Sequence, residues 1–177
     1  YRSVACEAII QKKKLSDVNS IKKIAQNINI NDYSDSQLYN NQIDEFSSKI
    51  SSIKSIRQAL INLQRNFPKI YKKSKKFCII EGRDIGTVIF PKADIKIFMW
   101  ASSEVRAIRR LKQVKKVNKK AKLNSISRSI IDRDLRDMSR KLAPLIPAAD
   151  SYLCDNSNYS IEQSFKAILK IITEKEH

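Results

Sequence analysis

Glycine is nearly absent from this chain: Gly82 and Gly86 are the only two in 177 residues. Backbone able to approach a ligand closely is therefore concentrated in one short stretch. Histidine is limited to His177, and the three cysteines, Cys6, Cys78 and Cys154, are scattered and odd in number. That set excludes a zinc site and a disulfide framework and points to a reducing compartment. Cysteines that lie in apolar runs read as packing residues. Aromatics make up only 7% of the chain, without the interleaving of exposed aromatics and basic residues that RNA modules show. No apolar run approaches the ~20 residues a membrane span requires, and no signal-peptide pattern opens the sequence. Position 1 is Tyr rather than Met, and Tyr1-Arg2-Ser3-Val4-Ala5 already looks like the middle of a helix. The expectation is that the chain lacks its N-terminal portion.

What the chain has in excess is positive charge: 35 Lys+Arg against 18 Asp+Glu, a formal net charge of +17. Such a field attracts polyanions, nucleic acid among them. The arginines, however, cluster with carboxylates, which suits a small phosphorylated ligand better than a long phosphate backbone. The length is that of one domain with a sizeable core, and a hydrophobic content of 42% fits a globular protein.

Apolar spacing predicts a helix over residues 1–13, with Val4, Ala8 and Ile9 on one face. A second, capped by Ser16 or Asp17, carries Ile21, Ile24 and Ala25. Residues 27–41 are polar and turn-rich with a short strand at 28–30, and helices follow over 42–51 and 53–66, the latter stopping before Pro68. Residues 69–76 form a charged connector. Strands are predicted at 77–81 and 95–99, with a shorter extended piece at 88–90. Ser102 or Ser103 caps a basic helix over 104–117, a lysine-rich hinge or lid follows at 115–122, and a further helix spans 125–139. Pro144 and Pro147 fence a loop before a last strand at 151–154 and a closing helix at 161–172. Strands alternating with helices predict an α/β fold with a parallel sheet flanked by helices.

Both glycines fall in Glu81-Gly82-Arg83-Asp84-Ile85-Gly86-Thr87, directly after the apolar run Phe77-Cys78-Ile79-Ile80. Open α/β sheets bind ligands where loops leave the carboxyl ends of their strands. There Arg83 can fork onto a phosphate, and Asp84 or Glu81 can hold a metal-bound water. A polar turn with a solvated Arg-Asp pair is the other reading of the same residues. Further along, Arg133, Asp137 and Arg140 sit at offsets of four and three and share one face of the predicted helix. They could be no more than a surface salt bridge, a common feature of helices. Arg106 stacks with Arg109 and Arg110 by the same offsets.

The order and spacing of several pieces resemble bacterial cytidylate kinases. They are EGRDIGTVIFP from Glu81 to Pro91, Ala93-Asp94-Ile95-Lys96-Ile97-Phe98, and Ala101-Ser102-Ser103-Glu104-Val105-Arg106-Ala107 with Arg109-Arg110. Arg133-Asp134, Arg136-Asp137, Arg140, Ala143-Pro144-Leu145, Pro147-Ala148-Ala149-Asp150 and Ser160-Ile161-Glu162-Gln163 continue it. The resemblance covers nearly the whole chain and is weakest over residues 17–41. It implies one domain of the P-loop nucleoside-monophosphate kinase fold, with a monophosphate-binding insert at about 15–68 and a lid at about 112–128. It further implies transfer of the ATP γ-phosphoryl group to CMP or dCMP, with Mg²⁺, by a cytoplasmic monomer. By resemblance Arg133, Asp137 and Arg140 contact the nucleoside and phosphates of CMP. Cytosine offers an exocyclic amine, for which a carboxylate is the natural acceptor. Ser48 and Arg57 fall where the family contacts the cytosine ring, and Tyr1-Arg2 match a pair whose arginine grips the monophosphate with Arg83. Glu81 and Asp84 lie near the implied magnesium, reached through water, and Arg106, Arg109 and Arg110 belong to the helix and lid over the ATP phosphates, with Arg109 the first choice. Trp100 is bulkier than the residue the family carries there.

Such a kinase also needs a phosphate loop, G-x-x-x-x-G-K-[ST], whose amides and lysine cradle ATP. With only Gly82 and Gly86 available, the 177 residues contain no such motif. The expectation is a fold lacking the first strand and the phosphate loop, and a chain inactive alone. A non-catalytic basic nucleic-acid-binding module and a degenerate remnant remain as alternatives.

Overall fold

The computed structural model describes residues 1–71, 77–116 and 118–175. They gather into two compact units, Tyr1–Gly82 with Arg140–Pro144, and Arg83–Ser139 with the chain from Leu145 on.

In the first unit the chain is helical wherever apolar side chains recur at three and four residues. α1 spans Arg2–Ile10, α2 Val18–Asn27, α3 Asp35–Leu38, α4 Asn41–Ile50 and α5 Lys54–Tyr71. The pairs Val4/Ala8, Ile21/Ala25 and Ile56/Leu60, each four apart, are buried together with Ile43 and Ile50. Ile21, Ile50 and Ile56 are wholly enclosed. Each such side chain contributes about 1.5–3 kcal/mol, so this small set alone is comparable with the net stability of a domain. Asn40 starts α4 by accepting from the Ile43 amide at 3.0 Å, and Ser34 with Gln37 closes a capping box on α3.

Three expectations change here. Asp17 stands at the start of α2 but does not cap it, because its carboxylate turns back to accept from the Lys14 amide at 2.8 Å. Residues 28–30 form no strand; Ile30–Asp32 is a 3-10 turn, since the Asn29 side chain accepts from the Asn31 amide and donates to Asp32. Such local bonds compete with a ladder. α5 runs through Pro68 instead of stopping before it. Proline withholds one amide from the carbonyl four residues back, and here that loss falls in the last turn. Of the connector at 69–76, residues 72–76 lie outside the described residues, as do Val117, Glu176 and His177.

In the second unit β1 (Ile97–Trp100) and β2 (Tyr152–Asp155) pair in parallel, Ile97 opposite Tyr152 and Trp100 opposite Asp155. A parallel pair needs a long crossover, and α6 (Ser103–Lys115) and α7 (Leu123–Ser139), packed on one another, supply it. The Ser102 hydroxyl caps α6 by accepting from the Val105 amide at 3.3 Å. α8, Ile161–Lys175, follows β2.

The sheet has two strands among the described residues. The run at 77–81 forms no ladder, and Phe77 and Ile79 are 67% and 89% exposed. A strand exists only through a partner's hydrogen bonds, and none of the described residues provides one. Cys78 is accordingly exposed rather than packed, whereas Cys6 and Cys154 are buried. The extended piece expected at 88–90 is instead part of a π-turn, Ile85–Ile89. The Asp84 carbonyl accepts from both Val88 and Ile89, and Ile85 from Phe90. β-branched residues alone do not distinguish this turn from a strand.

Candidate functional site

On α7 the offsets of one and four place Arg133, Asp134 and Asp137 along one side of the helix, and two further arginines meet them. Arg83 reaches in from the glycine-containing loop, its Nε 3.5 Å from Asp137 Oδ2 and its Nη1 3.9 Å from Asp134 Oδ1. Arg106 reaches in from α6, its Nη2 2.6 Å from Asp134 Oδ2, while its Nε donates to the Ala101 carbonyl at 2.8 Å. Arg133 Nε lies 3.7 Å from Asp137 Oδ2. Cations and carboxylates thus alternate in one row: Arg106, Asp134, Arg83, Asp137, Arg133. Asp137 is the buried member, 2% exposed. Burial, and after it the charge of Arg133, pushes the Arg83 guanidinium below its ordinary pKa, while Asp137 and Asp134 pull the other way. A crowded cation of that kind gains from an incoming dianion, which relieves repulsion as well as forming bonds.

The loop carrying Arg83 is fastened from below. Asp84 is buried at the head of the π-turn. Lys96, also buried, donates to the Pro91 carbonyl at 2.5 Å and to both Asp150 carboxylate oxygens at 2.7 Å. Gly86 rests on the Lys96 stem so closely that a Cβ there would come within 3.3 Å of its Cδ. In the sequence Lys96 and Asp150 are only parts of motifs, with nothing to mark them as a clip.

The first unit brings a second set together around Ser51, which terminates α4. Its carbonyl accepts from Arg57 Nη1 at 3.0 Å; its hydroxyl donates to the Ser48 carbonyl at 2.7 Å and accepts from Arg140 Nη1 at 2.8 Å. Arg57 also lies over the Tyr1 ring, 5.8 Å from its centroid. Tyr1, Ser48, Arg57 and Arg140, four of the residues singled out from sequence, therefore share one neighbourhood. Ser51 is not among the sequence candidates; its only signal is the repeat of serine pairs three and four apart. Arg140 is corrected in one respect. α7 ends at Ser139, so Arg140 does not extend the helical face of Arg133 and Asp137; its Nε closes a turn on the Ala143 carbonyl at 2.6 Å.

The other arginine candidates have partners of their own. Arg2 is engaged within its own unit, with Nη2 2.5 Å from Asp44, Nη1 on the Leu38 carbonyl at 2.8 Å, and its plane 4.7 Å from the centre of the Tyr39 ring. Arg109, the first choice for ATP, turns to the loop after β2, donating to Asn156 Oδ1 and to the carbonyls of Asn156 and Tyr159. Arg110 donates to Gln113 at 3.4 Å. Glu81 is exposed in the last residues of the first unit. Among the described residues no three His, Cys, Asp or Glu side chains form a metal cluster, and no helix is long and apolar enough to cross a membrane.

Comparison with known proteins identifies the family. The model of the Cytidylate kinase family matches residues 1–174. A curated cytidylate kinase of Rickettsia akari (strain Hartford) is 37% identical over 179 aligned positions, covering 99% of this chain and 77% of the relative. Cytidylate kinases of Mesorhizobium japonicum and Bartonella henselae are each 36% identical, over 98% and 97% of this chain and 79% and 78% of their own lengths. A match of that extent, over a small parallel sheet with crossover helices, settles the classification: the chain belongs to the cytidylate kinase family, with the fold of the P-loop nucleoside-monophosphate kinases.

Proposed function

We propose that this chain serves the ATP-dependent transfer of a phosphoryl group to CMP or dCMP, giving CDP or dCDP. The observation that supports the reading best is the row built around α7, three guanidinium groups against two carboxylates, whose one net positive charge suits a phosphate. Phosphoryl transfer asks chiefly for positioning and for charge aimed at the moving group. In this reading Arg83 and Arg133 stabilise that charge, and Asp137 accepts from the exocyclic amine of cytosine. Ser48 and Arg57 meet the ring, while Tyr1, Arg2 and Arg140 hold the ribose and monophosphate side. Arg2 exchanges Asp44 for phosphate when it does so.

Magnesium enters with ATP as part of the co-substrate and neutralises charge on its phosphate oxygens. Such an ion is held by one or two carboxylates and keeps several waters. Glu81 and Asp84, three positions apart in the loop, have that donor chemistry and would hold it through water. Arg106, Arg109 and Arg110 belong to the helix and lid that close on the ATP phosphates, with Arg109 the first choice; Arg109 and Arg110 exchange their present protein partners for phosphate when they do so. Residues 15–68 act as the monophosphate-binding insert and 112–128 as the lid. The protein works as a monomer in cytoplasmic pyrimidine-nucleotide metabolism. The 177-residue polypeptide alone, without a phosphate-loop motif in its sequence, binds CMP but does not turn over ATP.

Thermal unfolding of the purified 177-residue chain with CMP, cytidine or RNA tests the reading. A cooperative transition raised by CMP and little by cytidine supports it. Stabilisation by RNA that disappears steeply with salt, with none by CMP, would replace it with a nucleic-acid role. Detectable phosphorylation of CMP by the same polypeptide would sink the inactivity claim.

A further inference from the structure

We propose that Asp134 is a positioning residue: its carboxylate joins Arg83 of the glycine-containing loop to Arg106 of α6 and holds both guanidinium groups ready for phosphate. The proposal deepens the kinase reading and rests on it for the identity of the ligand. Three observations carry it. Asp134 is the only carboxylate among the described ion pairs that meets both arginines, at 3.9 Å from Arg83 and 2.6 Å from Arg106. Its side chain is largely screened, 18% exposed, so the attraction is not diluted as it is for a surface pair. Finally, Arg83 is pressed from two sides by like charge, from Arg133 and from Arg106. Asp137 balances the first of these and Asp134 the second.

Without the Asp134 charge, Arg106 keeps its Nε bond to the Ala101 carbonyl and loses its close ionic partner. Arg83 then faces Arg106 without a carboxylate between them, and the two groups separate. A phosphate arriving at Arg83 must order a guanidinium that is no longer held, and part of its binding energy goes into that ordering. A ligand without phosphate does not depend on this arrangement. Asp134 thus separates recognition of the phosphate from recognition of the nucleoside.

The experiment uses the full 177-residue chain, labelled at arginine, with NMR following the guanidinium signals of Arg83 and Arg106 during titration with CMP and with cytidine. Asp134→Asn keeps the shape and removes the charge. The preference for CMP over cytidine should fall about tenfold, with cytidine affinity changed less than about twofold. Asp134→Glu, which restores the charge, should recover CMP affinity to within about threefold. Equal losses for CMP and cytidine would mark a merely structural residue and overturn the proposal; so would an unchanged CMP preference, or a Glu variant as damaged as Asn. Hydrogen exchange of the two guanidinium groups without ligand is an independent measure of the same role. Faster exchange at both in Asp134→Asn is expected, and unchanged exchange would overturn the role of Asp134 whatever CMP does. If the unsubstituted chain shows no preference for CMP, it is the kinase reading that fails; the exchange result still decides the positioning.

Discussion

The Ser51 hydroxyl accepts a hydrogen bond from Arg140, 89 positions further along the chain, at 2.8 Å, and donates its own proton to the Ser48 carbonyl at 2.7 Å. One buried oxygen therefore ties a segment close to Pro144 to the end of α4. Ser51→Ala removes the acceptor and leaves the guanidinium short of a partner. Hydrogen bonds to charged groups are worth about 1.5–3 kcal/mol. Urea unfolding should show a loss of that order, and CMP affinity should weaken with it, because Ser48, Arg57 and Arg140 all lean on Ser51. An unchanged midpoint would mean that Arg140 finds an equivalent partner without it.

Asp137 is enclosed between Arg83 and Arg133. Replacing it by Ala leaves two cations facing each other in a screened position. Removing one partner of a buried ion pair typically costs about 3–5 kcal/mol, so the variant should unfold at clearly lower urea concentration. Asp137→Asn, which keeps an acceptor oxygen, should unfold between the two. If Asn and Ala behave alike, the charge rather than the shape or a retained acceptor governs the position.

A pH dependence follows from Tyr33, whose hydroxyl donates to Glu7 at 2.8 Å. Hydrogen bonds from Gln11 and then Tyr33 hold the Glu7 pKa below its ordinary 4.5. That contribution is fully present above pH 4.5 and is lost as pH falls through the folded value. Burial, and then the bond to Glu7, push the Tyr33 pKa above its ordinary 10.0, so its contribution is present below that value and declines as pH rises past it. Urea midpoints against pH should plateau between these limits. Tyr33→Phe should flatten the alkaline decline and soften the acid one without abolishing it, since Gln11 still bonds Glu7.

Much of this is legible in the residues themselves. The helices of the first unit follow from Val4/Ala8, Ile21/Ala25 and Ile56/Leu60, because a four-residue spacing can bury only as a helix face. β1 and the Ser102 start of α6 follow equally locally. What is not legible depends on distant partners. The run at 77–81 has the composition of a strand, and composition does not supply a neighbour. Arg109 and Arg106 look alike in sequence, yet one serves the loop at Asn156 and the other Asp134; only the fold assigns them. Asp134 stands in the sequence as half of an Arg-Asp motif, with no sign that it meets two arginines from elsewhere in the chain.

The two-stranded sheet has a colloidal consequence. Trp100 and Leu153, on adjacent strands, are 51% and 71% exposed, and Met99 and Tyr152 beside them are exposed as well. Among the described residues neither strand has a second neighbour, and apolar strands with unpaired edges are templates for pairing with another molecule. The formal charge of +17 opposes that contact by keeping molecules apart. The opposition reaches only a Debye length, about 10 Å at 0.1 M salt and about 3 Å at 1 M. The chain is thus guarded by long-range repulsion over a short-range attraction, and salt removes the guard first. Light scattering from a dilute solution should stay flat at low ionic strength and climb as salt is added, the reverse of a protein held in solution by salting-in.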